Sequence, residues 1–268
     1  MAAQQKFLEI AQDAALQGGK ILQDYWGKIS GFETKQTSSD LVTIADKTAE
    51  EAIVKYLIKA FPGHKIIGEE QGTHGNKDSE YAWIIDPLDG TTNYAHHFPH
   101  CAVSIGLFWQ NAPFAAVVYN PFTGEMYQAA KGHGAFLNGV KLHVSSTAQL
   151  EKSLLATGFP YYRNETKDNN YREFCHFTSL SHGVRRVGAA SLDFAAVAAG
   201  RFDGYWEQGL QPWDMAAGML LVTEAGGKLT AYDGSPIKIE TGRVVATNGL
   251  IHDQMVQELK ACEAAQLQ

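Results

Sequence analysis

Asp86 and Asp89 stand inside the run Trp83-Ile84-Ile85-Asp86-Pro87-Leu88-Asp89-Gly90-Thr91-Thr92-Asn93. Trp83, Ile84 and Ile85 form a short apolar run suited to a buried strand, which is expected to stop at Asp86-Pro87. Pro87 has no N–H to donate, and Gly90 tolerates backbone conformations that other residues avoid. Acidic groups would then sit at the mouth of a strand, beside a turn whose N–H groups face an anion. That is one way to hold a divalent metal against phosphate. Asp, Pro, Gly and Asn are also ordinary turn residues, so these positions alone leave a metal site and a solvated loop both open.

Other carboxylates fall near element ends. Asp46 lies near the start of a helix, where it would favour the dipole and cap free N–H groups. Glu69-Glu70 follow a strand, and neighbours in extended chain face opposite ways, so one of the two can point at a site. Glu207 ends a short strand through Tyr205-Trp206. Asp214, after Gln211-Pro212-Trp213, fits a helix start, where an N-cap is its plainest role.

The elements that would position these groups fall into two sets. The first half, 1–149, has helices over 4–28 and 43–60, the second ended by Pro62-Gly63. A polar loop or short hairpin holding Lys35 lies between them. Strands follow over 65–68, 102–108, 114–119, 126–130 and 135–142, with a hairpin signal at Asn138-Gly139 and a short polar loop after Glu70. In the second half, 150–268, strands over 154–157, 183–187, 203–206, 228–231 and 244–246 alternate with helices over 171–180, 191–199, 214–224 and 250–262. The expected fold is an α+β half with a mainly antiparallel sheet and a layered α/β half, packed tightly as one unit.

A chain of 268 residues can bury a sizeable core. Its net charge of −7 speaks against a nucleic-acid partner, which wants a basic surface, but not against a small phosphate ester. Cys101, Cys175 and Cys262 lack CxxC spacing and read as reduced thiols. There is no signal pattern at the N-terminus and no apolar run of membrane-spanning length, so the expected location is the cytoplasm.

Taken together, the sequence resembles the inositol monophosphatase family of magnesium-dependent, lithium-sensitive phosphatases. The resemblance runs through Asp40-Leu41-Val42-Thr43 with Asp46, Gly68-Glu69-Glu70, Trp83 to Asn93, Val103-Ser104-Ile105-Gly106, Gly132-His133-Gly134-Ala135, Trp213-Asp214 with Gly218, and Thr223-Glu224-Ala225-Gly226-Gly227. It implies an α-β-α-β-α sandwich and a homodimer. It also implies a first Mg²⁺ on Glu69, Asp86 and the carbonyl of Leu88, and a second on Asp86, Asp89 and Asp214. A third, weaker ion would share Glu69. All-oxygen donors suit hard Mg²⁺. By the same resemblance a metal-activated water, oriented by Thr91 with Asp46 behind it, attacks phosphorus in line. Gly90, Thr91 and Thr92 hold phosphate oxygens, while Ala190, Glu207 and Asp214 meet the hydroxyl-bearing leaving group. Lys35 lies on a flap reaching the site, and His96 and His97 stay outside the metal set. The expected reaction is hydrolysis of a small sugar-like phosphate, first of all myo-inositol 1-phosphate. The stretch 157–170 borders the leaving-group pocket and looks bacterial, which leaves the substrate among several relatives: fructose 1,6-bisphosphate, histidinol phosphate, adenosine 3′,5′-bisphosphate and NADP.

An aspartyl-nucleophile phosphatase would need D-x-D-G-T where this chain has D-x-x-D-G-T, and it would leave the Trp213-Asp214 block unexplained. A regulatory binding protein on the same fold would not need every metal and water-activating residue to be present.

Overall fold

The computed structural model describes residues 2–28, 33–34, 41–42 and 44–266. Lys35, Asp40 and Thr43 lie outside the described residues. Helix α1 (Ala2–Tyr25) is followed by the paired strands β1 (Glu33–Thr34) and β2 (Leu41–Val42), then helix α2 (Ile44–Ala60). Next come β3 (Lys65–Gly68), β4 (Gly72–Gly75), β5 (Tyr81–Asp89), the short helix α3 (Thr91–Ala95), β6 (Ala102–Trp109), β7 (Ala112–Asn120), β8 (Glu125–Ala130), β9 (Gly134–Leu137) and β10 (Val140–Lys141). The remainder is β11 (Leu154–Thr157), α4 (Tyr171–Leu180), β12 (Gly183–Arg185), α5 (Ala190–Ala198), β13 (Gly204–Gln208), α6 (Pro212–Glu224), β14 (Lys228–Thr230), β15 (Arg243–Thr247) and α7 (His252–Gln266).

The first sheet has eight strands in the order β10-β9-β8-β7-β6-β5-β3-β4, antiparallel except where β3 runs parallel to β5. The second has five strands in the order β12-β11-β13-β15-β14. Apolar cores fill the space between the layers. One packs Ala15, Leu22, Ala49, Ile53 and Leu57 of α1 and α2 on Trp83, Ile85 and Ile105 of the first sheet. A second joins the other face of that sheet, through Ala116 and Tyr127, to α5, α6 and the second sheet. A third puts Phe177 of α4 and Leu259 of α7 on Leu155 and Trp206. The result is the expected α-β-α-β-α sandwich. The polar loop after Glu70 is a strand, β4, held to β3 because the turn between them is tied down by backbone pairing.

α7 begins on a buried histidine. His252 meets Thr230 Oγ1 at 2.9 Å and Thr247 Oγ1 at 3.0 Å, and is 1% exposed. Burial first, then nearby Lys228, pushes its pKa down to about 4. Unfolded, the imidazole binds a proton near pH 6.5, so the unfolded state holds more protons below that value. Stability from a neutral His252 is therefore present above about pH 6.5 and lost as pH falls towards 4, by about 2–3 kcal/mol in all. Thermal melts from pH 7 to 4.5 should show this loss, and His252→Gln should flatten it.

Candidate active site

Asp86 and Asp89 owe their meeting to a bulge. Asp86 pairs with Ser104 and Asp89 with Ala102, so three steps along β5 oppose two along β6. In a regular strand, residues three apart face opposite sides. The extra residue returns both carboxylates to one face, and Pro87 occupies the place where no ladder N–H is needed. The strand thus runs on through Asp89, where sequence reasoning expects it to stop at Asp86-Pro87. Within the bulge Leu88 N donates to Asp86 Oδ1 at 2.9 Å.

The third carboxylate arrives from the other half of the chain. Asp214 sits in the first turn of α6, and Asp86, Asp89 and Asp214 each offer an oxygen within 4.8 Å of the others. Gln211 caps this helix, correcting the N-cap expected at Asp214. One oxygen of Asp214 accepts Gln211 N at 2.6 Å, three residues back. Glu69 lies just beyond β3, its N–H reaching Ile85 O at 3.3 Å and its carboxyl hydrogen-bonded to Asp86.

Burial and mutual repulsion dominate the electrostatics. Asp86 is raised well above the usual carboxylate range by burial, then by Glu69, Asp89 and Asp214. Asp214 is raised likewise, by burial and then Asp89 and Glu69. Asp89 is raised to about 6 by burial, against the pull of its hydrogen bonds. Those bonds come from the start of α5: Ala190 N at 3.1 Å, Ser191 N at 2.7 Å and Ser191 Oγ at 2.5 Å. Among the described residues, no Lys or Arg ranks with the main influences on the three aspartates. Buried, clustered, all-oxygen donors fit a hard divalent cation.

Beside the cluster, α3 starts at Gly90, whose φ of 89° is in the left-handed region that favours glycine. The first bond within that helix is Tyr94 N to Gly90 O, so the N–H groups of Thr91 and Thr92 precede it. Buried Thr91 Oγ1 lies 3.2 Å from Asp46 Oδ1 and 3.1 Å from Leu88 O. Asp46, in the first turn of α2 and 1% exposed, is therefore a partner of Thr91 as well as a helix-start acid. Asn93 closes the motif by donating through Nδ2 to His100 O at 2.7 Å and Val187 O at 2.8 Å, which ties α3 to the loop leading into α5.

A cleft of about 70 Å³ opens over these groups, lined by Asp89, Thr92, Tyr161, Arg186, Glu207 and Asp214 among others. Glu207 lies within β13 and accepts Tyr205 Oη at 2.6 Å. Burial pushes it up to about 7, opposed by the Tyr205 hydroxyl and by Arg186. A Cβ on Gly158 would fall 2.1 Å from Glu207 Oε1, so the glycine leaves room for this carboxylate. Ala190 also lines the cleft, although its N–H is directed at Asp89. A larger groove of about 630 Å³, lined by Leu8, Gln128, His133 and Phe136, carries no carboxylate.

Asp86, Asp89 and Asp214 therefore converge, with Glu69 bonded to Asp86, Leu88 O and Asp46 meeting Thr91, and Glu207 lining the same cleft as Asp89 and Asp214. His96 and His97 are exposed and belong to no acidic cluster among the described residues. Sequence reasoning missed Ser191, Tyr205 and Arg186. Nothing local marks Ser191 or Arg186, whereas the Tyr205-x-Glu207 alternation places both side chains on one strand face and could have been read.

A carboxylate cluster on a bulged strand, closed by an acid at a helix start from the other half, forms a candidate cation site. A family model, the inositol monophosphatase family, matches residues 3–264. The chain belongs to that family. It is 51% identical to an inositol-1-monophosphatase of Synechocystis sp. over 257 residues, 96% of this chain and 90% of that protein. It is 44% identical to the Nus factor SuhB of Pseudomonas aeruginosa over 249 residues, 91% and 92% of the two chains. The solved structure of an inositol monophosphatase from Anabaena (Nostoc) superposes with a TM-score of 0.89 at 52% identity, covering 96% of each chain.

Proposed function

We propose that this phosphatase hydrolyses myo-inositol 1-phosphate to inositol and phosphate, using two or three Mg²⁺ ions held by Glu69, Asp86, Leu88 O, Asp89 and Asp214. The observation that carries the reading is the convergence of Asp86, Asp89 and Asp214 at a small cleft, lined by the last two, that also presents Glu207. Leu88 O lies 3.1 Å from Thr91 Oγ1, and a carbonyl oxygen carries two lone pairs, so it can also serve a cation. Bound there, a divalent ion would supply Lewis-acid polarisation of phosphoryl oxygens and lower the pKa of water.

The chain's own groups supply the rest. Thr91 Oγ1 can accept a hydrogen bond from the attacking water while passing its own proton towards Asp46 Oδ1. The N–H groups of Thr91 and Thr92, freed by the left-handed turn at Gly90, orient phosphate oxygens. Glu207, held by Tyr205, accepts bonds from leaving-group hydroxyls, while Ala190 and Asp214 form the adjoining wall. In this reading residues 1–149 carry most metal ligands, and residues 150–268 carry Asp214 and the selectivity contacts. A cytoplasmic homodimer sensitive to lithium completes the proposal. No described helix is long and apolar enough to cross a membrane.

The test is phosphate release from inositol 1-phosphate, fructose 1,6-bisphosphate, histidinol phosphate, adenosine 3′,5′-bisphosphate and NADP, with Mg²⁺, with and without lithium. Inositol 1-phosphate should give the highest kcat/KM. Glu207→Gln should lower it by about 10-fold, since one accepted hydroxyl bond to a charged group is worth about 1.5–3 kcal/mol. Preference for another monoester would replace the substrate and keep the reaction. The likeness to a Nus factor favours a second reading, a regulatory binding role on the same fold. Absence of release from every monoester would favour that reading.

A further inference from the structure

Glu50 is a fully buried acid on α2, with 0% of its surface exposed, and none of the steps above uses it. Its two oxygens accept consecutive backbone N–H groups: Oε2 takes Glu70 N at 2.9 Å and Oε1 takes Gln71 N at 2.6 Å. These are the residues directly after Glu69, in the turn between β3 and β4. Gly68, directly before Glu69, lies under the same carboxylate, and a Cβ there would stand 2.5 Å from Glu50 Cδ. The carboxylate therefore holds the turn by the two N–H groups after Glu69 and lies directly against Gly68 before it. A second tie runs from Gln71 Nε2 to Lys47 O at 3.2 Å.

The location on α2 matters. Glu50 stands four residues after Asp46, so the two share one face of the helix, a single turn apart. One turn of α2 thus carries the carboxylate that meets Thr91 and the carboxylate that holds the Glu69 turn. A buried charge is costly to keep unless its hydrogen bonds are supplied, and here backbone N–H groups supply them.

We propose that Glu50 is a positioning residue that sets the Glu69 turn relative to α2 so that Glu69 reaches the cation site. The proposal rests on the reading of Glu69 as a cation ligand. Groups that orient metal ligands without touching the metal typically change affinity by about 10–100-fold when altered. Glu50→Gln keeps the volume but turns an N–H₂ towards a backbone N–H, which removes one of the two grips. Gly68→Ala disturbs the same contact from the other side.

The experiment titrates the full-length protein with Mn²⁺ alone and counts free ion by electron paramagnetic resonance. Wild type, Glu50→Gln, Gly68→Ala and Asp86→Asn are compared. Expected for Glu50→Gln is a Kd for Mn²⁺ raised about 10–100-fold, with kcat at saturating metal within about 3-fold of wild type. Unchanged Mn²⁺ affinity with a lowered Tm would show a merely structural role and overturn the proposal. Should Glu50→Gln fail to fold, Gly68→Ala decides: weakened Mn²⁺ binding supports the positioning role, and wild-type affinity overturns it. If wild type and Asp86→Asn bind Mn²⁺ equally, the cation-site reading falls and this proposal with it. If only Asp86→Asn is weakened, the site stands and Glu50 has no part in it.

Discussion

Asp86→Asn is expected to lower phosphate release by about 10²–10³-fold or more, the scale set by removing one preorganised charge-stabilising group. The same change should raise the Tm of the metal-free protein. Asp86 is buried among Glu69, Asp89 and Asp214, and burial with their repulsion raises its pKa well above normal. A raised carboxylate contributes stability below its unfolded pKa near 4, and that stability is lost as pH rises through the folded pKa. At neutral pH the metal-free protein therefore bears the cost of four close acids, and Asn replaces one of them with a group that does not titrate. Its Oδ1 can still accept Leu88 N, and its N–H₂ can donate to Glu69. A gain of about 1 kcal/mol would lift Tm by about 2–4 °C. Mg²⁺ at roughly 100 times its Kd should stabilise wild type by about 2.7 kcal/mol, and the variant far less. Calorimetry with and without Mg²⁺ measures both effects. A metal-free Tm below wild type would refute the electrostatic account of the cluster.

Thr91→Ala should reduce kcat by about 10²–10⁴-fold, the usual range for a lost proton-handling group, while Mn²⁺ affinity stays near that of wild type. Thr91 Oγ1 meets both Asp46 Oδ1 and Leu88 O. Thr91→Ser, which keeps the hydroxyl, should recover most of the rate. Asp46→Asn should resemble Thr91→Ala, and the double variant should be little worse than either single one, because the two act as a unit. Steady-state kinetics at saturating metal tests this. Additive losses would separate Asp46 from Thr91.

Much of the site is legible along the chain because its parts carry local signatures. The apolar run before Asp86, the Gly68-Glu69-Glu70 block and the Trp213-Asp214 block each announce an element end with a carboxylate on it. Helix and strand locations follow from apolar period and turn residues, as at 171–180 and 154–157, where expectation and structure agree. What local reading mistakes is β5. Asp86-Pro87 looks like a strand end because Pro cannot donate to a ladder, yet β5 continues past it by bulging, with one extra residue set against β6. The β4 strand is missed for a related reason: Gly72–Gly75 has no apolar alternation and is a strand only because β3 pairs with it.

The sequence by itself determined the chemistry on offer: an all-oxygen acid set, a threonine with an acid partner, and a turn of free N–H groups beside them. It also determined the family, because those blocks occur together and in order. Only the tertiary structure decided how they combine. The bulge puts Asp86 and Asp89 on one face, and the start of α5 aims Ala190 and Ser191 at Asp89. Asn93 joins α3 to the loop before α5, and Glu50 holds the turn that bears Glu69. Each of these is a contact between segments distant in the chain, where hydrogen-bond geometry is set by packing, and no local period or turn residue encodes it.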